Sequence, residues 1–337
     1  MIEIIIMLFL ISLTCTYLLV KLYIPIAIKH NILAPDVHKP NNPKIPTMAG
    51  IVLFILIPLY STILFTNIAN TYSLKAPFEI LAIVLTIIIS GIIGLLDDLL
   101  DLGLKKTFLS VIVAFPVLLL NVYYPRPLIP FIGRIRITII YPILVVLAFL
   151  VVINATNMID THNGVMLTGA ISVLIPMLIW CIILNEIAYV MYIIVAIGAL
   201  LGLFLWNKYP AKIFPGNVGS YLTGGLLAVL IIITRKEYIA LIAMLPFILH
   251  GYYLLTSIKG LMTRETIRKK IGKPVKVENG IIYPIKNENA PFTLPRLIVV
   301  AYGPMTEKEL VSKYYRIFLF SSFLAVLTGI FIYYPFW

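Results

Sequence analysis

ILAIVLTIIISGIIGLLDDLLD, residues 80–101, shows the architecture in miniature. No residue from Ile80 to Leu96 is charged, and Asp97, Asp98 and Asp101 then follow at once. About 20 apolar residues in a helix cross the roughly 30 Å hydrocarbon layer of a bilayer. Carboxylates are costly inside that layer, so a helix of this composition crosses it and delivers its acids to the surface.

The same signature recurs along the chain. Ten apolar runs are long enough to count as spans, near 2–22, 49–67, 77–96, 107–124, 138–155, 165–184, 188–206, 219–234, 238–258 and 315–334. The eighth is the shortest and is interrupted by Gly224 and Gly225, a pair that lets helices approach closely. Composition agrees. Of 337 residues 61% are apolar and 12% charged, against about 25% charged in a soluble domain. The fold class is therefore all-α, a polytopic integral membrane protein with about ten transmembrane helices. Residues 1–337 read as a single integral membrane domain, with 259–314 as its one larger loop. The N-terminus lacks a basic region and a cleavage site, so it reads as a retained first span with no soluble domain attached. Cys15 and Cys181 both lie in apolar runs, and no disulfide framework is expected.

Net charge is +12, but the basic residues partition by loop. Six of the 26 Lys and Arg, namely Lys75, Arg126, Arg134, Arg136, Arg235 and Lys236, fall on one face, and the rest fall on the other. That asymmetry is a topology signal and not a nucleic-acid footprint. It places the odd-to-even loops in the cytoplasm and both termini outside. Tyr333, Tyr334, Phe336 and Trp337 fit an interfacial aromatic anchor. Within 259–314, Val275–Ile285 reads as a hairpin turning at Asn279-Gly280.

Five loops on the basic face carry polar clusters, and the other face carries no comparable set. Asp36-Val-His-Lys-Pro-Asn-Asn-Pro-Lys-Ile-Pro-Thr-Met-Ala-Gly50 is too rich in proline for a helix, and His38 and Lys39 suit a phosphate. Asp97, Asp98 and Asp101 share a helix face by spacing. They sit at the unfavourable end of the helix dipole, so a cation is expected nearby, either Mg²⁺ or Lys105 and Lys106. Asn154-Ala-Thr-Asn157-Met-Ile-Asp160-Thr-His162-Asn163-Gly164 offers many hard oxygen ligands, the kind Mg²⁺ prefers. Lys212-Ile-Phe-Pro-Gly216-Asn217-Val-Gly219-Ser220 opens a helix, whose free N–H groups suit an anion. Asn287–Arg296 ends in a guanidinium matched to phosphate. Each cluster has a bland alternative: a salt bridge, an Asn-Gly turn, a helix cap or a solvated basic loop. Their shared face argues for one site, open to a phosphorylated, Mg²⁺-bound molecule that reacts with something in the bilayer.

In their order these motifs resemble the polyprenyl-phosphate N-acetylhexosamine-1-phosphate transferases. That family includes phospho-MurNAc-pentapeptide translocase and dolichyl-phosphate GlcNAc-1-phosphotransferase. Pro46-Thr-Met-Ala-Gly50, Gly94-Leu-Leu-Asp97-Asp98, Asn154-Ala-Thr-Asn157 and Phe214-Pro-Gly-Asn217-Val-Gly-Ser220 carry the likeness. Asp36-Val-His-Lys39 and Asn163-Gly164 look eukaryotic and Asp160 bacterial, a mixture that fits an archaeal-type member. The resemblance implies transfer of N-acetylhexosamine-1-phosphate, GlcNAc-1-phosphate first, from a UDP-sugar to polyprenyl or dolichyl phosphate with release of UMP. This would be the first membrane step of glycan assembly, for protein glycosylation or the cell envelope.

The resemblance also assigns roles. Asp97 and Asp98 are catalytic, and Asn157 and Asn217 hold Mg²⁺, with Mn²⁺ as a substitute. Asp160, Asn163 and Gly164 bind the nucleotide. Lys39 and Lys106 bind the lipid phosphate, and Gly216 and Arg296 the sugar diphosphate. The partners implied are UDP-N-acetylhexosamine, the polyprenyl or dolichyl phosphate and the bilayer, with no nucleic acid; a homodimer is compatible. Two departures stand out. Asn217 replaces the family's metal-binding Asp, and Ala290-Pro-Phe-Thr-Leu-Pro-Arg296 keeps only the last arginine of the eukaryotic sugar loop. A changed sugar or a non-catalytic role is therefore the alternative. A transporter is less favoured, because it should place ionisable groups at mid-membrane.

Overall fold

In hydrocarbon a backbone must satisfy its own hydrogen bonds, so the apolar runs form helices. The computed structural model describes residues 2–68, 76–262, 264–287 and 290–334, with backbone alone at 64–68, 264, 265 and 268. Lys75, Phe336 and Trp337, which entered the expectations above, lie outside the described residues, as do residues 288–289 of the Asn287–Arg296 segment.

Helix α1 (Ile2–Lys29) leads into a two-stranded ribbon, β1 (Leu33–Pro35) against β2 (Lys44–Pro46). Helices α2 (Gly50–Ile68) and α3 (Ala76–Leu100) follow. The run expected as a fourth continuous span is instead broken into α4 (Lys105–Leu109), a 3₁₀ turn at Ile112–Ala114 and α5 (Phe115–Leu119). Pro116 has no N–H to give the preceding turn, and the ladder does not pass through it. A small ribbon, β3 (Leu128–Ile129) with β4 (Gly133–Arg134), precedes α6 (Tyr141–Ile159), α7 (Val165–Ile183), α8 (Ile187–Asn207) and α9 (Gly216–Thr234). Helices α10 (Glu237–Ala243) and α11 (Leu245–Ser257) meet at a 63° bend, where Pro246 opens α11. Beyond α12 (Arg264–Lys270), strands β5 (Val275–Glu278) and β6 (Ile281–Pro284) form the expected hairpin. Asn279 and Gly280 both take positive φ at its turn, as a type I′ turn requires. After α13 (Leu294–Tyr302), strand β7 (Met305–Thr306) adds a third strand to that sheet and leads into α14 (Glu307–Tyr333).

Among the described residues seven helices are long and apolar enough to cross a membrane, and the bent α10–α11 pair makes eight. Helix α2 is apolar too, over a shorter described stretch. The expected eighth span is the centre of the bundle. Every residue of α9 from Val218 to Thr234 is buried, and α3, α6, α2, α7 and α8 pack on it. Apolar burial does not drive helices together in lipid, so close packing must. Gly224 and Gly225 supply it: a Cβ there would sit 2.6 Å from the Ile153 backbone of α6 and 2.6 Å from Ser90 Oγ of α3.

Candidate active site

The helices end in two polar layers, and the motifs gather in one of them. A cavity of about 280 Å³ is lined by Asp36 and His38 after β1, Asp98 of α3, Asn157 and Asp160 at the end of α6, and Thr161, His162 and Asn163 beyond it. Asn207, Phe214, Gly216 and Asn217 close it from the α8–α9 side. The structure thus brings Asp98, Asn157, Asp160, Asn163, Gly216 and Asn217 together around one space. Asp97, Lys39, Lys106, Gly164 and Arg296 stand outside its lining.

The N-terminus of α9 was expected to face an anion. Two of its N–H groups meet the Asp98 carboxylate. Asp98 Oδ1 accepts from Asn217 N–H and Oδ2 from Val218 N–H, both at 2.9 Å. Acids cap helix N-termini in this way because two orphan donors and the dipole favour negative charge. Gly216 makes the approach feasible. Its φ is +74°, and a Cβ there would lie 2.8 Å from Asp98 Oδ2. The pairing ties the end of α3 to the start of α9 and fixes Asp98 at the cavity wall.

Asp97 points elsewhere. It is buried; its Oδ2 meets Lys106 Nζ at 2.6 Å and its Oδ1 accepts from Leu102 N–H at 3.0 Å. The bland alternative, a helix-end salt bridge, therefore describes Asp97 and Lys106. Asp101 does not join the other two acids. Helix α3 ends at Leu100, and Asp101 is exposed with φ +47°.

Lys39 is paired as well. Its ammonium bonds Asp36 and lies 3.4 Å from Glu307 Oε2, at the first residue of α14. Asn163 completes this knot, donating its backbone N–H to Glu307 Oε1 at 3.3 Å and its amide to Asp36 Oδ2 at 3.3 Å. Asp36 and Glu307 are each 2% exposed. Buried carboxylates need such partners, since an unpaired charge away from water is strongly unfavourable. The ligand atoms of Asp36, His38 and Glu307 also lie within 4.8 Å of one another, a spacing a metal ion can use. Lys39 already supplies positive charge there.

Two imidazoles line the cavity face to face. His38 and His162 stack with centroids 4.2 Å apart. Burial holds the His38 imidazole down, to about 4, with Lys39 and Lys273 adding to the effect and Asp36 opposing it. Burial, then the neighbouring His38 and His250, holds His162 well below its ordinary value. Both rings are neutral at neutral pH. His162 Nδ1 is 2.9 Å from the Thr161 hydroxyl, and its buried Nε2 has no hydrogen-bond partner among the described residues.

For a divalent cation the donor chemistry fits. Asn157, Asn217, Asp98 and Asp160 bring hard oxygens to one cavity, the ligand type Mg²⁺ selects. The Asn157 Oδ1 accepts from the Ser220 hydroxyl at 3.0 Å, which orients its amide. An amide oxygen and a carboxylate oxygen each keep a lone pair beyond one such bond.

Gly164 and Arg296 serve the frame. Gly164, with φ +76°, opens α7 and donates its N–H to Asn207 Oδ1 at 3.1 Å, while Asn207 Nδ2 donates to Ile213 O at 2.9 Å. One buried amide thus pins the α6–α7 loop to the α8–α9 loop. The Arg296 guanidinium bonds the carbonyls of Ala290, Pro291, Ile285 and Asn287. It staples its own loop, where a diphosphate contact was expected. Sequence reasoning missed Glu307 and Asn207, because neither lies in a cluster. Glu307 is legible only as the first helical residue within a Thr306–Glu309 capping box.

Comparison with known proteins places this cavity in context. The glycosyl transferase family 4 model matches residues 80–235, from α3 through α9. A Methanocaldococcus jannaschii protein named as a glycosyltransferase is 29% identical over 88% of this chain and 87% of its own. A Saccharolobus solfataricus protein named as a UDP-N-acetylglucosamine–dolichyl-phosphate N-acetylglucosaminephosphotransferase is 30% identical over 65% of this chain and 67% of its own. The phospho-N-acetylmuramoyl-pentapeptide-transferase of Streptococcus thermophilus is 33% identical over 60% and 63%. The matched segment supplies Asp98, Asn157, Asp160, Asn163 and Asn217 of the cavity wall, and the chain belongs to glycosyl transferase family 4, the polyprenyl-phosphate hexosamine-1-phosphate transferases.

Proposed function

We propose that this chain transfers N-acetylhexosamine-1-phosphate, with GlcNAc-1-phosphate the first choice, from a UDP-sugar to polyprenyl or dolichyl phosphate. The observation that carries the reading is the polar cavity. Residues from four separate motif loops converge on it at the end of an otherwise apolar helix bundle. The relatives named for UDP-GlcNAc and dolichyl phosphate support the choice of substrates.

In this reaction an oxygen of the lipid phosphate forms a bond to the β-phosphorus of the UDP-sugar. The bond from that phosphorus to the bridging oxygen breaks, and UMP leaves with the electron pair. Phosphoryl transfer asks a protein chiefly to position groups and balance charge. Asn157, Asn217, Asp98 and Asp160 would hold Mg²⁺, which when bound offsets the charge of the diphosphate. A phosphate monoester has a second pKa near 6, so the attacking oxygen is already deprotonated at neutral pH. Asp98, held by two N–H groups, is therefore a positioning and charge-bearing group. Asp160 and Asn163 stand where a nucleotide would contact the α6–α7 loop. Lys39 and Lys106 reach the lipid phosphate only by sharing their charge with Asp36, Glu307 and Asp97. The motif end is the cytoplasmic one in this reading.

The test is to incubate the purified protein with Mg²⁺, UDP-GlcNAc and polyprenyl phosphate and to weigh the lipid product. A polyprenyl-diphospho-GlcNAc is expected; an unchanged lipid would refute the reading. One observation favours a different sugar. Arg296, the last arginine of the sugar loop, is spent on four carbonyls. UDP-GalNAc and UDP-glucose belong in the same experiment.

A further inference from the structure

A second pocket, of about 360 Å³, lies at the same end of the bundle and shares no lining residue with the cavity. It is built from the end of α13 and the first three turns of α14: Tyr302, Met305, Glu309, Ser312, Lys313 and Arg316 line it, with Pro304. Two cations face it. Lys313 Nζ sits 3.8 Å from the centroid of the Tyr302 ring. Neither Lys313 nor Arg316 is in a salt bridge among the described residues. The one acid on the rim, Glu309, turns to the helix start, where its Oε2 accepts from the Thr306 N–H and hydroxyl at 2.8 and 2.9 Å, and with Lys313 and Arg316 the lining keeps a net positive charge.

The height of the pocket identifies its occupant. Leu319, Phe320 and Phe323 of α14 are 71%, 63% and 57% exposed, which in this bundle means facing lipid tails. Arg316 lies one turn earlier, about 4.5 Å along the helix axis. The two cations therefore stand at headgroup level, where Lys and Arg snorkel and exposed Tyr is favoured. We propose that this pocket binds the phosphodiester headgroup of an anionic phospholipid. Its acyl chains lie along Leu319, Phe320 and Phe323. Basic pockets beside transmembrane helices recognise such headgroups by charge. The site is independent of the sugar-phosphate reaction and needs no Mg²⁺. It steadies the helix whose first residue, Glu307, closes the Lys39 knot.

The experiment uses the full chain in detergent, titrated with phosphatidylglycerol, phosphatidylcholine or glycerol phosphate, with bound lipid read by native mass spectrometry. The chain should bind phosphatidylglycerol in preference to phosphatidylcholine and should not bind glycerol phosphate. The double variant Lys313→Gln/Arg316→Gln should bind phosphatidylglycerol about twenty-five-fold more weakly, at roughly fivefold per basic residue. The charge-keeping variant Lys313→Arg/Arg316→Lys should retain it and shows that folding is intact. Equal affinity of the double variant, indifference to headgroup charge, or binding of glycerol phosphate without tails would each overturn the proposal.

Discussion

The two ends of the helix bundle contain similar residues and put them to opposite use. At the far end Lys236 is buried against Glu186 Oε2 at 2.6 Å and the Thr234 carbonyl at 3.0 Å. The Tyr141 hydroxyl donates to Glu237 at 2.5 Å, and Tyr189 to Glu79 at 3.4 Å. These groups close on one another; Tyr141 and Glu237 border the large cavity there, whose lining is otherwise almost wholly apolar. At the motif end the acids and amides are also tied down, but around a polar space. Asp98 is held by α9, Asn157 by Ser220 and Asn163 by Glu307, and all three still line the cavity. The difference teaches what marks a site here. Buried ionisable residues alone do not, because both ends have them. Many fixed polar groups converging from several loops on one shared space do.

Substitutions at the two ends should separate activity from stability. The largest effect is expected at Asp98→Ala, which removes a charge from the cavity and a cap from α9. UMP release should fall a hundredfold or more, on the order seen when a fixed charge-stabilising group is lost. Unfolding should shift by only about 1–2 kcal/mol for the cap. Near-normal turnover would erase the distinction between the ends. Next comes Lys39→Gln, which leaves Asp36 and Glu307 without their cation. Breaking a buried pair in this way costs about 3–5 kcal/mol, and Lys39 is partly exposed, so the lower figure is expected in thermal unfolding, together with weakened substrate binding. At the opposite end Glu186→Gln should lower stability by about 2 kcal/mol, less than a fully buried pair because Glu186 is 30% exposed, and should leave kcat unchanged. A loss of kcat there would mean that the far end also serves the reaction.

Acid should act on the motif end first. The His38 imidazole is held at about 4 in the folded chain against about 6.5 when unfolded. The unfolded chain then binds the extra proton, so the stability His38 confers is complete above pH 6.5 and is lost as pH falls toward 4. His162 shifts in the same direction and adds to the loss. A His38→Gln variant should show a flatter midpoint-against-pH curve over that window; an unchanged slope would remove His38 from the account. The smallest effect is expected at Asn217→Asp. A formal charge beside a hard cation should lower the Mg²⁺ concentration for half-maximal activity and keep or modestly raise turnover. Loss of activity would give the amide a role of its own.

Which features could be read from the chain follows a physical pattern. Helices in lipid are dictated locally, so the long apolar runs and the Asn279-Gly280 hairpin were legible. The central place of α9 was not, because burial on all sides depends on Gly224 and Gly225 meeting other helices. The motifs named Asp98, Asn157, Asp160, Asn163 and Asn217, and the structure gathers those five. Partner choice was harder to foresee. Whether a Lys meets a ligand or an acid depends on contacts far along the chain, and Lys39 finds Glu307 268 residues away in sequence. At the α9 N-terminus, where the sequence suggested an anion, Asp98 reaches in from another helix, a contact that local spacing does not show. Polar residues at the far end escaped notice because Glu79, Glu186 and Glu237 are scattered singly in the sequence and meet only after folding.

The most direct measurement is UMP release by the purified chain across a panel of UDP-sugars, with Mg²⁺ and with or without polyprenyl phosphate. The account predicts release that requires the lipid phosphate, is strongest with a UDP-N-acetylhexosamine, and is lost in Asp98→Ala but kept in Glu186→Gln. Silence across the whole panel, or release that does not need the lipid, would contradict it.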